Sequence, residues 1–124
     1  MYSVVTSIAD FRSAGALAVL LAATLAHAGA AEVERGKALI EKSGCAACHS
    51  IPGVRQFGTP GRVGPPLEAF GRRLYVAGML PNTPEQLARW IHDPLAINPG
   101  TGMPRVGLSV QESRDVAAYL LNLK

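Results

Sequence analysis

The sequence predicts a small all-α domain of three to five short helices joined by long loops, and three observations lead there. Apolar residues recur at helical spacing in separate stretches, with no β-rich segment and no internal repeat between them. The connecting stretches are dense in helix breakers: Ile51 to Pro66 holds four prolines and four glycines in sixteen residues. The chain's two cysteines sit beside a histidine in Cys45-Ala46-Ala47-Cys48-His49, directly after the first helical stretch.

Residues 1–30 read as an export segment rather than as fold. Arg12 precedes an uncharged run from Ala14 to Ala26, rich in alanine and leucine. Two A-x-A sites follow, Ala26-His27-Ala28 and Ala28-Gly29-Ala30, as in a secretory signal peptide. An uncleaved N-terminal anchor is the alternative, although the run falls short of the ~20 strongly apolar residues that a spanning helix needs. Residues 31–124 then form one compact domain. The chain carries a net charge of +3, and losing Asp10 and Arg12 with the leader leaves it at +3, from 11 Lys/Arg and 8 Asp/Glu. So small a balance argues against nucleic acid as a partner.

Each helix has its own start and stop signals. From Glu32 to Ser43, Val33, Gly36, Leu39 and Ile40 share one face, and Gly44 is a natural C-terminal stop. Leu67 to Leu74 allows one or two helical turns around Gly71. Thr83 caps a helix with Pro84 at its first position and Gln86 at the capping-box position. Pro94 ends that helix near His92, after an apolar face of Leu87, Trp90 and Ile91. Asn98 to Pro104 is loop. Ser109, with Glu112 as reciprocal partner, caps a last helix whose buried stripe is Val116, Tyr119, Leu120 and Leu123.

Two cysteines separated by two residues and followed at once by histidine form the attachment signature of a c-type haem. Two thiols at that spacing bond to the two vinyl groups of one porphyrin, and His49 then ligates the iron. A thioredoxin-type dithiol expects a βαβ context and needs no histidine. A zinc site requires four ligands, and His92 is the one residue able to complete it once His27 leaves with the leader. A buried haem also accounts for the long loops, because it supplies core that about 94 residues otherwise lack. At ~25 cal/mol per Å², several hundred Å² of buried porphyrin is worth several kcal/mol.

The second axial ligand decides what the iron does. Met103 lies in a proline- and glycine-rich loop between two helices; Met79 lies in Gly78-Met79-Leu80-Pro81, nearer the attachment site. Either methionine could instead fill core, and His92 could give bis-histidine ligation.

These motifs resemble the class I cytochromes c, the small all-helical monohaem family, over essentially all of residues 32–124. Gly36 matches the first-helix glycine crossed by the last helix, where Tyr119-Leu120 matches the aromatic–aliphatic pair. Gly64-Pro65-Pro66-Leu67 resembles Gly-Pro-x-Leu, which implies that the Pro65 carbonyl accepts a hydrogen bond from His49. Pro99-Gly100-Thr101-Gly102-Met103 resembles the methionine-ligand loop, which makes Met103 the sixth ligand. Arg72, in Phe70-Gly71-Arg72, matches a basic residue that faces a haem propionate in relatives. Trp90 either packs on the haem edge or belongs to the core. The chain departs from the family in its long loop from His49 to Pro65, and in lacking the lysine-rich face of the mitochondrial carriers.

The resemblance implies a one-electron carrier rather than an enzyme, with one covalent heme c on Cys45 and Cys48 and with His49 and Met103 as metal ligands. Its partners would be redox proteins (an oxidase, a reductase or a dehydrogenase), in the periplasm, with the membrane involved only if the leader stays attached. Arg105, Arg55 and Arg62 are candidates to flank the haem edge and steer acidic partners. The same haem site would serve a dedicated cytochrome subunit of a larger dehydrogenase or terminal oxidase. A haem peroxidase or gas sensor would need an open sixth site, with His92 as its distal histidine.

Overall fold

The computed structural model describes residue 27, residues 29–56 and residues 63–124. Expectations for residues 1–26 and 28, including most of the export segment, and for Arg62 within residues 57–62, lie outside the described residues. The chain divides into Met1–Ala30 and Ala31–Lys124, and every element below belongs to the second unit. Among the described residues, no helix is long and apolar enough to cross a membrane.

Helix α1 covers residues 31–42 of this unit, with Gly36 and Ile40 buried on the predicted face. It stops at Gly44, which takes a left-handed conformation at φ 72° that glycine adopts without a Cβ clash. A single 3₁₀ turn, Cys45–Ala47, follows at once and carries the cysteine pair.

Helix α2 is Pro84–His92, α3 is Pro94–Ile97 and α4 is Val110–Asn122. Ser109 and Glu112 form a complete capping box on α4, each side chain accepting from the other's backbone N–H. The box on α2 is only half made. Thr83 Oγ1 accepts from the Gln86 amide at 3.3 Å, but the Gln86 side chain accepts from Arg89 at 2.8 Å. Pro94 ends α2 and also opens α3, with Asp93 capping the Ala96 amide at 3.0 Å. The same residues thus stop one helix and start another, because proline suits a first helical turn as well as it breaks an interior.

A short antiparallel hairpin, β1 Tyr75–Val76 and β2 Leu80–Pro81, lies where the sequence showed no strand signal. Its turn puts Ala77 at φ 52° and Gly78 at φ 71°. A glycine in that position is an ordinary turn residue, but an alanine there is not, so the sequence pattern hid it. The helical turn expected between Leu67 and Leu74 shrinks to a 3₁₀ turn, Phe70–Arg72.

Helix α1 crosses α4 at Gly36. A Cβ there would lie 2.0 Å from the Asp115 carbonyl oxygen and 3.1 Å from the Tyr119 Cβ, so only glycine permits this approach. Gly71 plays the same part for the 3₁₀ turn against the end of α4, where its amide donates to the Leu123 carbonyl at 2.8 Å. Around these crossings Ile40, Ile51, Val76, Leu87, Val116 and Leu120 are buried. Each such side chain contributes roughly 1.5–3 kcal/mol. Two polar contacts pin the periphery. The buried Asp115 carboxylate accepts from Arg35 at 2.9 Å, which holds its pKa below the usual range against the desolvation that opposes it. The Tyr119 hydroxyl donates to the Pro52 carbonyl at 2.7 Å, and burial raises its pKa, keeping the proton that this bond needs.

Candidate haem site

The sequence places Cys45, Cys48 and His49 where α1 gives way to a 3₁₀ turn, and the fold opens a cavity of about 560 Å³ beside them. All three line it, with Ile40, Leu67 and Phe70 from the core. The two cysteines form no disulfide with each other, and burial pushes the Cys45 thiol pKa up.

His49 is fixed through one ring nitrogen. Its Nδ1 lies 2.7 Å from the Pro65 carbonyl oxygen, and a carbonyl can only accept, so Nδ1 carries the proton. The Nε2 lone pair is then left for a metal, and the bond restricts ring rotation. Gly64 makes this possible. Any side chain there would put a Cβ 2.5 Å from the His49 Cε1, so the backbone lies directly on the imidazole. The Gly64 amide donates to the Cys48 carbonyl at 3.0 Å and the Leu67 amide to the Ser50 carbonyl at 2.8 Å. The strap of residues 64–68 is thereby stitched to the attachment segment.

Met103 lines the same cavity and is half-buried, whereas Met79 is 46% exposed and does not line it. His92 lies outside the lining, and its Nδ1 sits 2.8 Å from the Leu108 carbonyl oxygen. Trp90 is 9% exposed; it lines the cavity from α2 and also packs in the core. Pro65 belongs to the wall.

The arginines are arranged differently from the expectation. Arg72 is exposed and absent from the lining; its neighbour Arg73 lines the cavity instead. The 3₁₀ turn ends at Arg72, and the backbone becomes extended at Arg73, with ψ at 147°, which turns the two side chains apart. Sequence matching could not separate two adjacent arginines; the difference lies in the backbone. Arg105 pairs with Asp93 at 2.7 Å, and Arg55 is exposed and away from the cavity.

A haem fits this arrangement by the chemistry of its donors. Two thiols, one imidazole with a free nitrogen and one thioether converge on a mainly apolar cavity, and Arg73 is the one charged side chain among its described lining residues. Cys45 and Cys48 could hold the vinyl carbons, and His49 and Met103 could hold the iron.

Comparison with known proteins agrees. The cytochrome c family model matches residues 33–124. The chain is 35% identical over 91 residues to cytochrome c oxidase subunit 2 of Alkalihalophilus pseudofirmus, covering 73% of this chain and 25% of that one. It is 33% identical over 93 residues to cytochrome c oxidase subunit 2 of Bacillus sp. PS3 (73% and 26% covered), and 31% identical over 93 residues to that of Bacillus subtilis (73% and 26%). The chain therefore spans about a quarter of the length of the curated relatives it matches. With the family match running from the first helix to the C-terminal residue, and with the residues of its cavity suited to a haem, this chain belongs to the cytochrome c family, the electron-transfer haem proteins.

Proposed function

We propose that residues 31–124 hold one heme c, covalently attached through Cys45 and Cys48 and ligated by His49 and Met103, and pass single electrons between respiratory partners in the periplasm. The observation that carries this reading is the bond from His49 Nδ1 to the Pro65 carbonyl, made on the wall of a cavity that Met103 shares. Bound haem supplies the ferric–ferrous couple. The protein's residues set its energetics. The Pro65 carbonyl keeps the imidazole in the tautomer that presents Nε2. The Met103 thioether, a neutral soft donor, favours the ferrous state and raises the potential. The apolar wall acts in the same direction, because low polarity disfavours the additional positive charge of ferric iron. A site closed on both sides has little to rearrange, which suits electron transfer over bond chemistry.

A second reading has specific support. The relatives named above are oxidase subunits, which favours a dedicated cytochrome subunit of a terminal oxidase over a freely diffusing carrier. A purified protein running as a monomer supports the carrier; co-purification with a larger assembly supports the subunit. The peroxidase or sensor reading finds no support in His92, its candidate distal base, which sits outside the cavity against Leu108.

The visible absorption spectrum of the exported protein tests the proposal. His/Met ligation gives low-spin spectra in both oxidation states and a long-wavelength methionine-to-iron band in the ferric form. A high-spin spectrum overturns it.

A further inference from the structure

Arg73 is the cation of the cavity, but its hydrogen bonds lead elsewhere. Its Nη2 donates to the Pro66 carbonyl, and also to the Glu68 carbonyl at 3.3 Å. Its guanidinium carbon stands 5.1 Å above the centroid of the Phe70 ring. The stem is fixed as well. The Arg73 amide donates to the Phe70 carbonyl at 3.1 Å, and Asn82 Nδ2 donates to the Arg73 and Phe70 carbonyls, each at 3.0 Å. One guanidinium therefore joins an immobilised turn to the strap that touches His49.

We propose that Arg73 is a positioning residue for the proximal histidine, acting through Pro66 on the Pro65 carbonyl that holds His49 Nδ1. The inference rests on His49 being the iron ligand. Its physical basis is the number of free torsions in the strap. Both proline rings lock φ at about −65°, leaving ψ as the soft angle at Pro65 and at Pro66. The Gly64 amide is pinned to the Cys48 carbonyl on one side. On the other side the Pro66–Leu67 peptide is pinned at both ends, its carbonyl by the guanidinium and its amide by the Ser50 carbonyl, so the peptide between has little freedom to swing its oxygen off the imidazole. Both bonds leave one nitrogen, Nη2, whose place is set by the guanidinium standing over the Phe70 ring, and a lysine ammonium has no planar face to stack there.

The test is hydrogen exchange of the His49 Nδ1 proton in the haem-loaded protein, followed by NMR through its iron-shifted resonance, in Arg73→Lys, Arg73→Gln and Arg72→Gln. Losing a charge-assisted bond to the strap accelerates exchange about tenfold in both Arg73 variants. Arg72→Gln exchanges at the native rate. Arg73→Lys keeps the charge and the aliphatic stem, so it reads positioning with the packing least disturbed. Exchange unchanged in Arg73→Lys and Arg73→Gln overturns the proposal, including the case where the reduction potential falls in Arg73→Gln alone, which is a purely electrostatic role. Absence of an iron-shifted His49 resonance in the native protein overturns His49 as ligand instead, so the two failures are distinguishable.

Discussion

The segment carrying His49 and the loop carrying Met103 line one cavity, yet they are held in different ways. His49 lies under backbone: the Pro65 carbonyl on its Nδ1, Gly64 against its ring, and two main-chain bonds from the strap to Cys48 and Ser50. Met103 sits in a loop that mostly holds itself. The Thr101 amide donates to the Asn98 carbonyl, the Gly100 amide to Asn98 Oδ1, and the Met103 amide to Thr101 Oγ1. Beyond Met103, that loop is tied to the end of α2 by side-chain contacts, Arg105 to Asp93 and His92 to the Leu108 carbonyl. One of the two proposed ligands is oriented by main chain packed too closely for a side chain to intervene. The other depends on local turns and largely exposed anchors. The methionine side should therefore be the one that yields first.

The sharpest way to break this contrast is a pair of glycine substitutions, one on each segment. Gly64→Ala forces a Cβ into the His49 ring and should cost about 1–3 kcal/mol while disturbing the low-spin spectrum. Gly100→Ala, on the methionine loop but off the cavity wall, meets only Asn98 Oδ1 at 3.5 Å, an ordinary contact, and should stay within about 0.5 kcal/mol, with an unaltered spectrum. Thermal unfolding of the two haem-loaded variants checks both; equal losses would mean that the two segments are equally constrained.

Met103→Ala is next in size. It should lower the reduction potential by on the order of 0.1 V or more and let CO bind, while the bond between His49 and Pro65 persists. Redox titration reads the first effect and CO difference spectra the second. An unchanged potential would transfer the sixth position to another side chain.

The smallest effect concerns the exposed anchor. Asp93 has its pKa lowered chiefly by the hydrogen bond from Arg105, with burial opposing and the Ala96 amide assisting. A carboxylate lowered in the folded state stabilises above its ordinary pKa of about 3.9 and loses that contribution as the pH falls through the lowered value. Acidification should thus loosen the methionine loop, and Arg105→Gln should remove part of that acid sensitivity. At neutral pH the same substitution should lower the temperature at which the methionine-to-iron band disappears by no more than about a few degrees. Band intensity followed against pH and temperature in both proteins is the measurement.

Much of the site was legible because its chemistry is written in local order. Cys45, Cys48 and His49 announce themselves by spacing, and Ser109 with Glu112 by capping chemistry. The resemblance to the family singled out Met103 over Met79, and the fold puts Met103, not Met79, on the cavity wall. The hairpin at residues 75–81 was hidden because two-residue strands carry no periodicity. Helix α3 is hidden in the sequence although Asp93-Pro94 repeats the cap chemistry of Thr83-Pro84, because the proline that opens it also terminates α2.

By itself the sequence determined the attachment signature, the stops of α1 and α2, the caps that start α2 and α4, and the glycine at which the first and last helices can cross. Each depends on bonds or torsions within a few residues, or on a side chain whose absence is the signal. Tertiary structure alone decided that Arg73 rather than Arg72 faces the cavity, that Arg35 meets Asp115 eighty residues away, and that Arg105 is engaged by Asp93. Those outcomes depend on where the backbone points a long, flexible side chain, and packing across the whole fold sets that direction.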